Sequence, residues 1–429
     1  HTGLLELKNV IAPVKTEVVD ITKGEFRVSN LYYFKNLDDV LLDWKVEKDG
    51  ITVESGSVSN IFITPQESQT VSLPYKMPEK PDGRYFLTVS YILKKETVWA
   101  EKGYEIAFAQ FELPTGKAEK RIIKQSALPD LCVDKTGKEI VIEGEDFIYK
   151  FDLYHGTFSS IKYNGLDMID TLPKFNIWRA PLDNDRNMHA WRDEGYDRLN
   201  TRISSVRIIS EDSKKISICT EYTLGSYSRK PVIRGKALWT VYGSGDIYLE
   251  TEAKVREDAP FLPRFGLQLS MPKGNELVQY FGYGPHESYI DKHHSCKISR
   301  YRNTVDEMFE NYLRPQENGS HYRTEWAVVT NKLGMGLLFA GMDKFSFNVS
   351  HYTPEDLTYA DHPYKLKKRD VTIVNIDYMM SGTGSNSCGP ELLPQYRLSQ
   401  KDINFSLRIK PVFVEDISVI DTVNTVIED

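Results

Sequence analysis

Four cysteines in 429 residues are too few to staple the chain. Cys132, Cys219, Cys296 and Cys388 form no CxxC pair and have no histidine at zinc spacing, which excludes a dense disulfide framework and argues against structural zinc. No apolar run approaches the roughly 20 residues that a membrane-spanning helix needs. Charge of one sign never accumulates. The 54 basic and 61 acidic residues are mixed along the chain, leaving a net charge of −7 and no basic face of the kind that binds nucleic acid. The densest basic stretch, Lys365-Leu366-Lys367-Lys368-Arg369, reads as a solvated loop. Internal repeats and low-complexity tracts are absent. The chain opens His1-Thr2-Gly3 without an initiator methionine, as a processed fragment would. A targeting signal is therefore not legible; the cytoplasm is the favoured compartment, with the periplasm as the alternative.

What is present is period-two alternation. Val40, Leu42, Trp44 and Val46 share one strand face, as do Tyr85, Leu87, Val89, Tyr91 and Leu93. Ile216, Ile218, Thr220, Tyr222 and Leu224 repeat the pattern, and so do Ile247, Leu249, Thr251, Ala253 and Val255. Strands with one apolar face belong to antiparallel sheets packed face to face. Asp49-Gly50, Asp82-Gly83, Asn164-Gly165 and Gly243-Ser244-Gly245 mark turns between them. Helical periodicity is confined to a short stretch near Ala190–Leu199. The fold class is all-β.

The stretch from Pro114 to Arg121 is polar and breaker-rich, and Ser126-Ala127-Leu128-Pro129-Asp130 follows. We expect residues 1–115 to form one sandwich of about seven strands, the size of an immunoglobulin-like domain. Residues 116–129 are the expected linker. Residues 130–414 would form a large sandwich of two broad sheets, and 415–429 a C-terminal tail.

Two strings are more specific than any periodicity: Phe175-Asn176-Ile177-Trp178-Arg179-Ala180-Pro181-Leu182-Asp183-Asn184-Asp185, and Gly282-Tyr283-Gly284-Pro285-His286-Glu287-Ser288-Tyr289-Ile290-Asp291. Further strings fall in the same order: Leu41-Leu42-Asp43-Trp44, Arg314-Pro315-Gln316-Glu317-Asn318-Gly319, Tyr322-Arg323-Thr324-Glu325, Asn375-Ile376-Asp377 and Gly382-Thr383-Gly384-Ser385-Asn386-Ser387-Cys388-Gly389-Pro390. Together they resemble the C-terminal, non-barrel half of the β-galactosidases of glycoside hydrolase family 2. The resemblance implies an immunoglobulin-like linker domain followed by a large terminal sandwich, similar in fold to the galactose mutarotases. It also implies that the catalytic carboxylates lie upstream, in a barrel outside this chain. A retaining glycosidase sets its two carboxyl groups about 5–5.5 Å apart, and by the resemblance no residue here is one of them. Partners implied are the upstream barrel and sugar-binding domains, a β-galactoside substrate, and further copies of the intact protein. No cofactor is identifiable in the chain; magnesium and sodium are implied for the intact enzyme, with ligands partly outside this sequence.

By the same resemblance, the substrate-binding candidates are Asp185, Asn187, Asn386, Ser387 and Cys388. Asn187 matches the glycine of a mobile loop in the family. Cys388 matches a tryptophan that, in one branch, packs on the sugar beyond the galactose; a thiol offers no such face. Read from the residues alone, Asp185 and Arg179 equally suit an internal ion pair, and Cys388 a small buried filler. Glu287 and Glu317, with His286, His293 and His294 nearby, have the composition of an acid/base set. A structural role, paired with Arg300 or Arg302 or with backbone amides, is the stronger expectation. His293 and His294, as neighbours in a strand, would face opposite ways and could not share a metal ion. Trp178 and Trp239 read as core. Two other functions remain open: an autonomous sugar mutarotase using a His/Glu pair, and a non-catalytic carbohydrate-binding module.

Overall fold

The computed structural model describes residues 1–79, 82–116, 119–415 and 417–428. It is all-β, with only short helices between the strands. The chain divides into two compact units, and the division does not follow the sequence boundary alone. The first unit comprises His1–Lys120 together with Tyr283–Pro285 and Lys292–Tyr301; the second comprises Arg121–Gly282, His286–Asp291 and Arg302–Asp429.

In the first unit, strands β1 (Val14–Asp20), β2 (Glu25–Asn30), β3 (Val40–Lys48), β4 (Ile51–Val58), β5 (Ser68–Ser72), β6 (Tyr85–Leu93) and β7 (Glu105–Glu112) form two antiparallel sheets. Their orders are β1-β2-β5 and β4-β3-β6-β7. The alternation in β3 and β6 turns Val40, Leu42, Trp44, Leu87, Val89 and Tyr91 inward, where they meet Phe26 and Val28 of the opposite sheet. The β3–β4 turn uses Asp49 and Gly50, both at positive φ (48° and 78°), the backbone twist a tight hairpin requires.

A helix, α1 (Thr2–Val10), and the distant segment Lys292–Tyr301 complete this unit. Gln110 holds that segment as a strand neighbour would. Its amide nitrogen donates to the Ile298 carbonyl (2.9 Å) and its oxygen accepts from the Ile298 amide (2.7 Å). Glu6 of α1 accepts from the amides of His293, His294 and Ser295 at 2.9–3.2 Å and pairs with the His294 ring at 2.8 Å. His293 and His294 therefore lie in a turn rather than a strand, with rings stacked at 4.9 Å. Alternation does not apply to a turn, so the expectation of opposite faces fails.

The second unit begins with β8 (Arg121–Lys124), β9 (Cys132–Lys135), β10 (Glu139–Glu143), β11 (Phe147–Asp152), β12 (Thr157–Tyr163), β13 (Leu166–Asp167) and β14 (Thr171–Asn176). It continues with β15 (Asn200–Glu211), β16 (Lys215–Gly225), β17 (Ile233–Tyr242), β18 (Ile247–Val255), β19 (Arg264–Met271) and β20 (Leu277–Gly284). Then come β21 (Lys297–Thr304), of which only the part from Arg302 belongs to this unit, β22 (His321–Thr330), β23 (Met335–Ser350), β24 (Thr372–Met380), β25 (Asp402–Phe413) and β26 (Thr425–Glu428). Strands β13-β12-β11-β10-β9 form a five-stranded sheet, and β14-β19-β24-β23-β25-β18-β17-β16-β15 run in order through a twelve-stranded one. The sheets meet through aromatic rings. Phe158 lies edge-on to Phe151 (5.1 Å) and to Trp239 (5.4 Å), and the Tyr149 hydroxyl donates to the Gly245 carbonyl (2.7 Å). Trp178 and Trp239 are both core residues, each 2% exposed.

Within the stretch read as a tail, residues 417–428 carry secondary structure. Helix α3 (Val419–Val423) leads into β26, which pairs in parallel with β8, inside the stretch read as linker. The buried Arg408 guanidinium donates to the Thr422 and Thr425 carbonyls (2.7 and 2.8 Å). A four-residue strand shows too little alternation to be read from sequence.

The Glu6 anchor makes a testable pH dependence. Burial raises its carboxyl, but hydrogen bonds from the Ser295 and His294 amides and side chains outweigh that and hold it below the ordinary value. A depressed folded pKa means stability that is full above the unfolded pKa and lost as pH falls through the folded one. Glu6→Ala is expected to lower stability at pH 7 by about 1–3 kcal/mol, the cost of stranding hydrogen-bond donors. Urea unfolding at pH 7 and near pH 3 should show that deficit shrinking in acid.

Candidate functional site

Strand β14 carries the chain into Ile177, Trp178, Arg179 and Ala180, all buried. Arg179 is fully buried, and a guanidinium in that setting must be paired on every side it presents. Nε and Nη2 fork onto Asp185 (3.1 and 2.7 Å). The remaining donors reach the carbonyls of Ser381 and, at 3.0 Å, Gly382. Burial alone would make Arg179 easier to deprotonate, but the adjacent Asp185 charge more than offsets this and raises its pKa. Asp185 Oδ2 also accepts the Leu182 amide (2.9 Å) and closes the turn between them. One buried cation thus shapes loop 179–185 and ties it to the end of β24.

Asn184 couples that loop to the glycine-rich one. Its Nδ2 donates to the Gly384 carbonyl (2.7 Å), and its Oδ1 accepts from the Ser387 amide (3.1 Å) and hydroxyl (2.6 Å). Arg186 donates to the Ser387 carbonyl (2.6 Å). On the other side, Asp291 accepts the amides of Thr383 (2.8 Å) and Gly384 (2.7 Å). Gly382 permits this approach, since a Cβ there would lie 2.5 Å from the Asp291 carboxyl carbon. Loop 382–389 is consequently held from two sides, with Asn386 half-buried and Cys388 exposed at its outer end.

The structure therefore separates the five candidates. Cys388 is exposed and Asn386 is half-buried. Ser387 is exposed, but its amide, hydroxyl and carbonyl are all engaged by Asn184 and Arg186. Asp185 is 8% exposed with both oxygens occupied, so its carboxylate positions the loop rather than facing a ligand. Asn187 stands half-buried before helix α2 (Met188–Glu194) at φ −72°, ψ −4°. Any residue adopts that conformation, so the position needs no glycine here. Cys388 is not the small buried filler that its residue type allows. Asn184 and Asp291, which do the coupling, belong to the quoted strings. Their place in those strings was the available signal, but their partners lie on other segments.

Beneath these loops is a second buried charge cluster. Arg264 forks onto Asp377 (3.1 and 2.5 Å) and gives its remaining contact to Glu317 (3.2 Å). Glu317 thus pairs with Arg264, not Arg300 or Arg302. The fork is taken by Asp377, leaving Glu317 the weaker share, and burial raises the Glu317 carboxyl above its ordinary value despite that contact. Gly266 makes room for Asp377 to reach Arg264, because a Cβ there would fall 2.4 Å from it. Glu287 accepts the Gly319 amide (2.9 Å) and the hydroxyls of Tyr289 (3.2 Å) and Tyr312. The Glu317 amide donates to the Ala180 carbonyl (3.1 Å), which joins this cluster to the Arg179 segment. Among the described residues, no three His, Cys, Asp or Glu side chains are grouped to hold a metal ion.

The family model for the β-galactosidase small chain matches residues 143–409, which contain both loops and both charge clusters. The chain belongs to that family. A second model, for β-galactosidase domain 4, matches residues 26–114, most of the first unit's sandwich. The small-chain match and its neighbour identify a C-terminal part of a β-galactosidase. The β-galactosidase of Actinobacillus pleuropneumoniae is 33% identical over 96% of this chain, and that of Priestia megaterium 30% identical over 95%. In both cases the chain spans 40% of the relative's length. Among solved structures, a galactose 1-epimerase from Lactobacillus acidophilus NCFM aligns with 66% of this chain and 99% of its own, with a TM-score of 0.36 and 11% identity.

Two substitutions test how this small-chain loop pair is held. Asp185→Ala strands the Arg179 charge and should cost about 3–5 kcal/mol in urea unfolding. Asn184→Ala should cost about 1–2 kcal/mol but selectively speed amide exchange across 382–389. Uniform exchange throughout the second unit would show that Asn184 does not hold the loop.

Proposed function

We propose that this chain is the non-catalytic C-terminal part of a retaining β-galactosidase that hydrolyses terminal β-D-galactosides, lactose-like disaccharides included. Its role is to complete one wall of the sugar pocket, with Asn386 and Cys388 on the side of the group beyond the galactose. The observation that carries this reading is the loop pair. Asn184 and Asp291 fix loop 382–389 from both sides and leave Cys388 at its outer end exposed. Such a loop is preorganised, so a ligand contacting it pays little ordering entropy. The candidate acid/base residues support the non-catalytic half of the reading. Glu317 is neutralised by Arg264, and Glu287 is held by an amide and two tyrosines. Each is committed inside the fold and not poised across an open cleft.

The purified 429-residue chain, made in a host lacking its own β-galactosidase, is expected to give no turnover of a chromogenic β-galactoside above the uncatalysed rate. Turnover abolished by Glu287→Gln or Glu317→Gln would overturn the non-catalytic assignment. In the full-length protein, Cys388→Trp supplies a ring face worth about 0.5–1.5 kcal/mol of stacking and should lower KM for lactose severalfold with kcat little changed. A lactose KM indifferent both to that change and to alkylation of Cys388 would remove loop 382–389 from the pocket wall.

A further inference from the structure

Helix α1 is amphipathic, but its two faces are reversed. At about 100° per residue, Thr2, Glu6 and Asn9 fall on one side and Leu4, Leu7, Val10 and Ile11 on the other. The polar side is the docked one. Glu6 accepts from the amides of 293–295, Asn9 donates to the His294 carbonyl, and the Thr2 hydroxyl accepts from Lys292 (3.2 Å). Lys8, the other charged residue of the helix, also turns back. Its ammonium donates to the Glu105 carbonyl and lies 4.2 Å from the centre of the Tyr104 ring. Both charges of α1 are thus used inside the first unit. The apolar side is left to solvent: Leu4, Leu5, Leu7, Val10 and Ile11 are 42–67% exposed. That surface continues past Lys8 onto the β6–β7 connection, where Tyr104 meets Trp99 edge-on (5.7 Å) and both rings are exposed.

A helix of a soluble domain turns its apolar stripe inward, and a contiguous exposed apolar patch marks a surface that something covers. A lipid surface does not fit. Interfacial helices keep lysine and arginine on the polar face, free to meet headgroups, whereas this polar face is already bonded to protein. The length of the relatives points elsewhere. The chain spans 40% of its β-galactosidase relatives and matches their C-terminal part. In a protein of that length, the larger share of the polypeptide enters this unit through α1. Covalent attachment holds that share beside the stripe at high effective concentration, an advantage that a second copy or a separate protein lacks.

We propose that the exposed face of α1, with Tyr104 and Trp99 beside it, is the seat of the polypeptide that precedes this chain in the intact protein. The surface it meets is apolar and uncharged opposite Leu4, Leu7 and Ile11, because α1 offers no charge there to pair with a buried one. The helix is then a two-sided staple, bonded to the first unit by its polar face and to the preceding part by its apolar face. The inference rests on this chain being part of a longer protein and not on where a galactoside binds. It therefore stands or falls apart from the pocket-wall reading.

The test places a photoreactive diazirine analogue of leucine at position 7 of the full-length protein and irradiates it in the native state. The expected product is a cross-link within one polypeptide, at the mass of a single chain, whose partner peptide precedes residue 1. A product of doubled mass would show that a second copy covers the stripe and would overturn the proposal. So would a probe quenched only by water, or one joined only to residues 1–429. The second measurement is amide exchange in full-length Leu7→Glu. Glutamate suits a solvated helix face, where this change is nearly neutral. Beneath a partner it should speed exchange across α1 and 293–295 by about tenfold or more. Exchange unaltered from wild type would overturn the assignment. If Leu7→Glu does not fold, the near-isosteric diazirine decides alone.

Discussion

A guanidinium with no access to water must find counter-charge and acceptors inside the protein, and Arg179 is such a group. Its requirements fix Asp185, the Leu182 turn and the carbonyls of Ser381 and Gly382 in one arrangement. Residues two hundred positions apart in sequence become neighbours through one side chain. Everything proposed for the loop pair depends on this pairing, because Asn184 can reach Gly384 and Ser387 only if both loops are already anchored. Buried ion pairs are weak contributors to net stability against an apolar alternative, yet removing one partner is expensive. Arg179 therefore acts as a constraint on geometry more than as a source of folding energy.

The same logic separates scaffold from chemistry in the deeper cluster. Arg264, Asp377 and Glu317 have the residue types of an active site and a perturbed carboxyl, which taken alone would nominate it. Their geometry argues the other way. The fork of Arg264 is filled by Asp377, Gly266 is shaped around that contact, and the Glu317 backbone braces the segment carrying Arg179. A carboxyl raised mainly by burial and enclosed by partners marks a packed interior, and only accompanying exposure would make it a candidate acid.

Alternation and turn residues made much of the architecture legible. The inward faces of β3, β6, β16 and β18 are those read from the sequence, because a strand with one solvated face records its burial every second residue. Asp49-Gly50 marked its hairpin because few residues accept positive φ. What remained hidden is what depends on distant partners. Nothing in Lys292–Tyr301 announces that it packs with the first unit, since Gln110 and Glu6 recognise mainly its backbone amides and carbonyl, which every residue carries. Arg264 could not be matched to Glu317 because strand order, not spacing, brings them together. In the candidate site, the carboxylate of Asp185 faces inward, onto Arg179. The local string showed that a charged turn existed, and only its tertiary surroundings decided which way it pointed.

The pairing of β26 with β8 has a consequence for how this unit is made. Residues 425–428 meet 121–124, so the contact spans about three hundred positions of chain. A ribosome delivers the early strand long before its companion exists, and loops of that length close slowly. Until then the backbone groups of β8, the acceptors for Arg408 and the end of β25 lack their final neighbours. A chain cut before residue 425 therefore loses this pairing, and the edge of β8 is left open although every residue of that strand is intact.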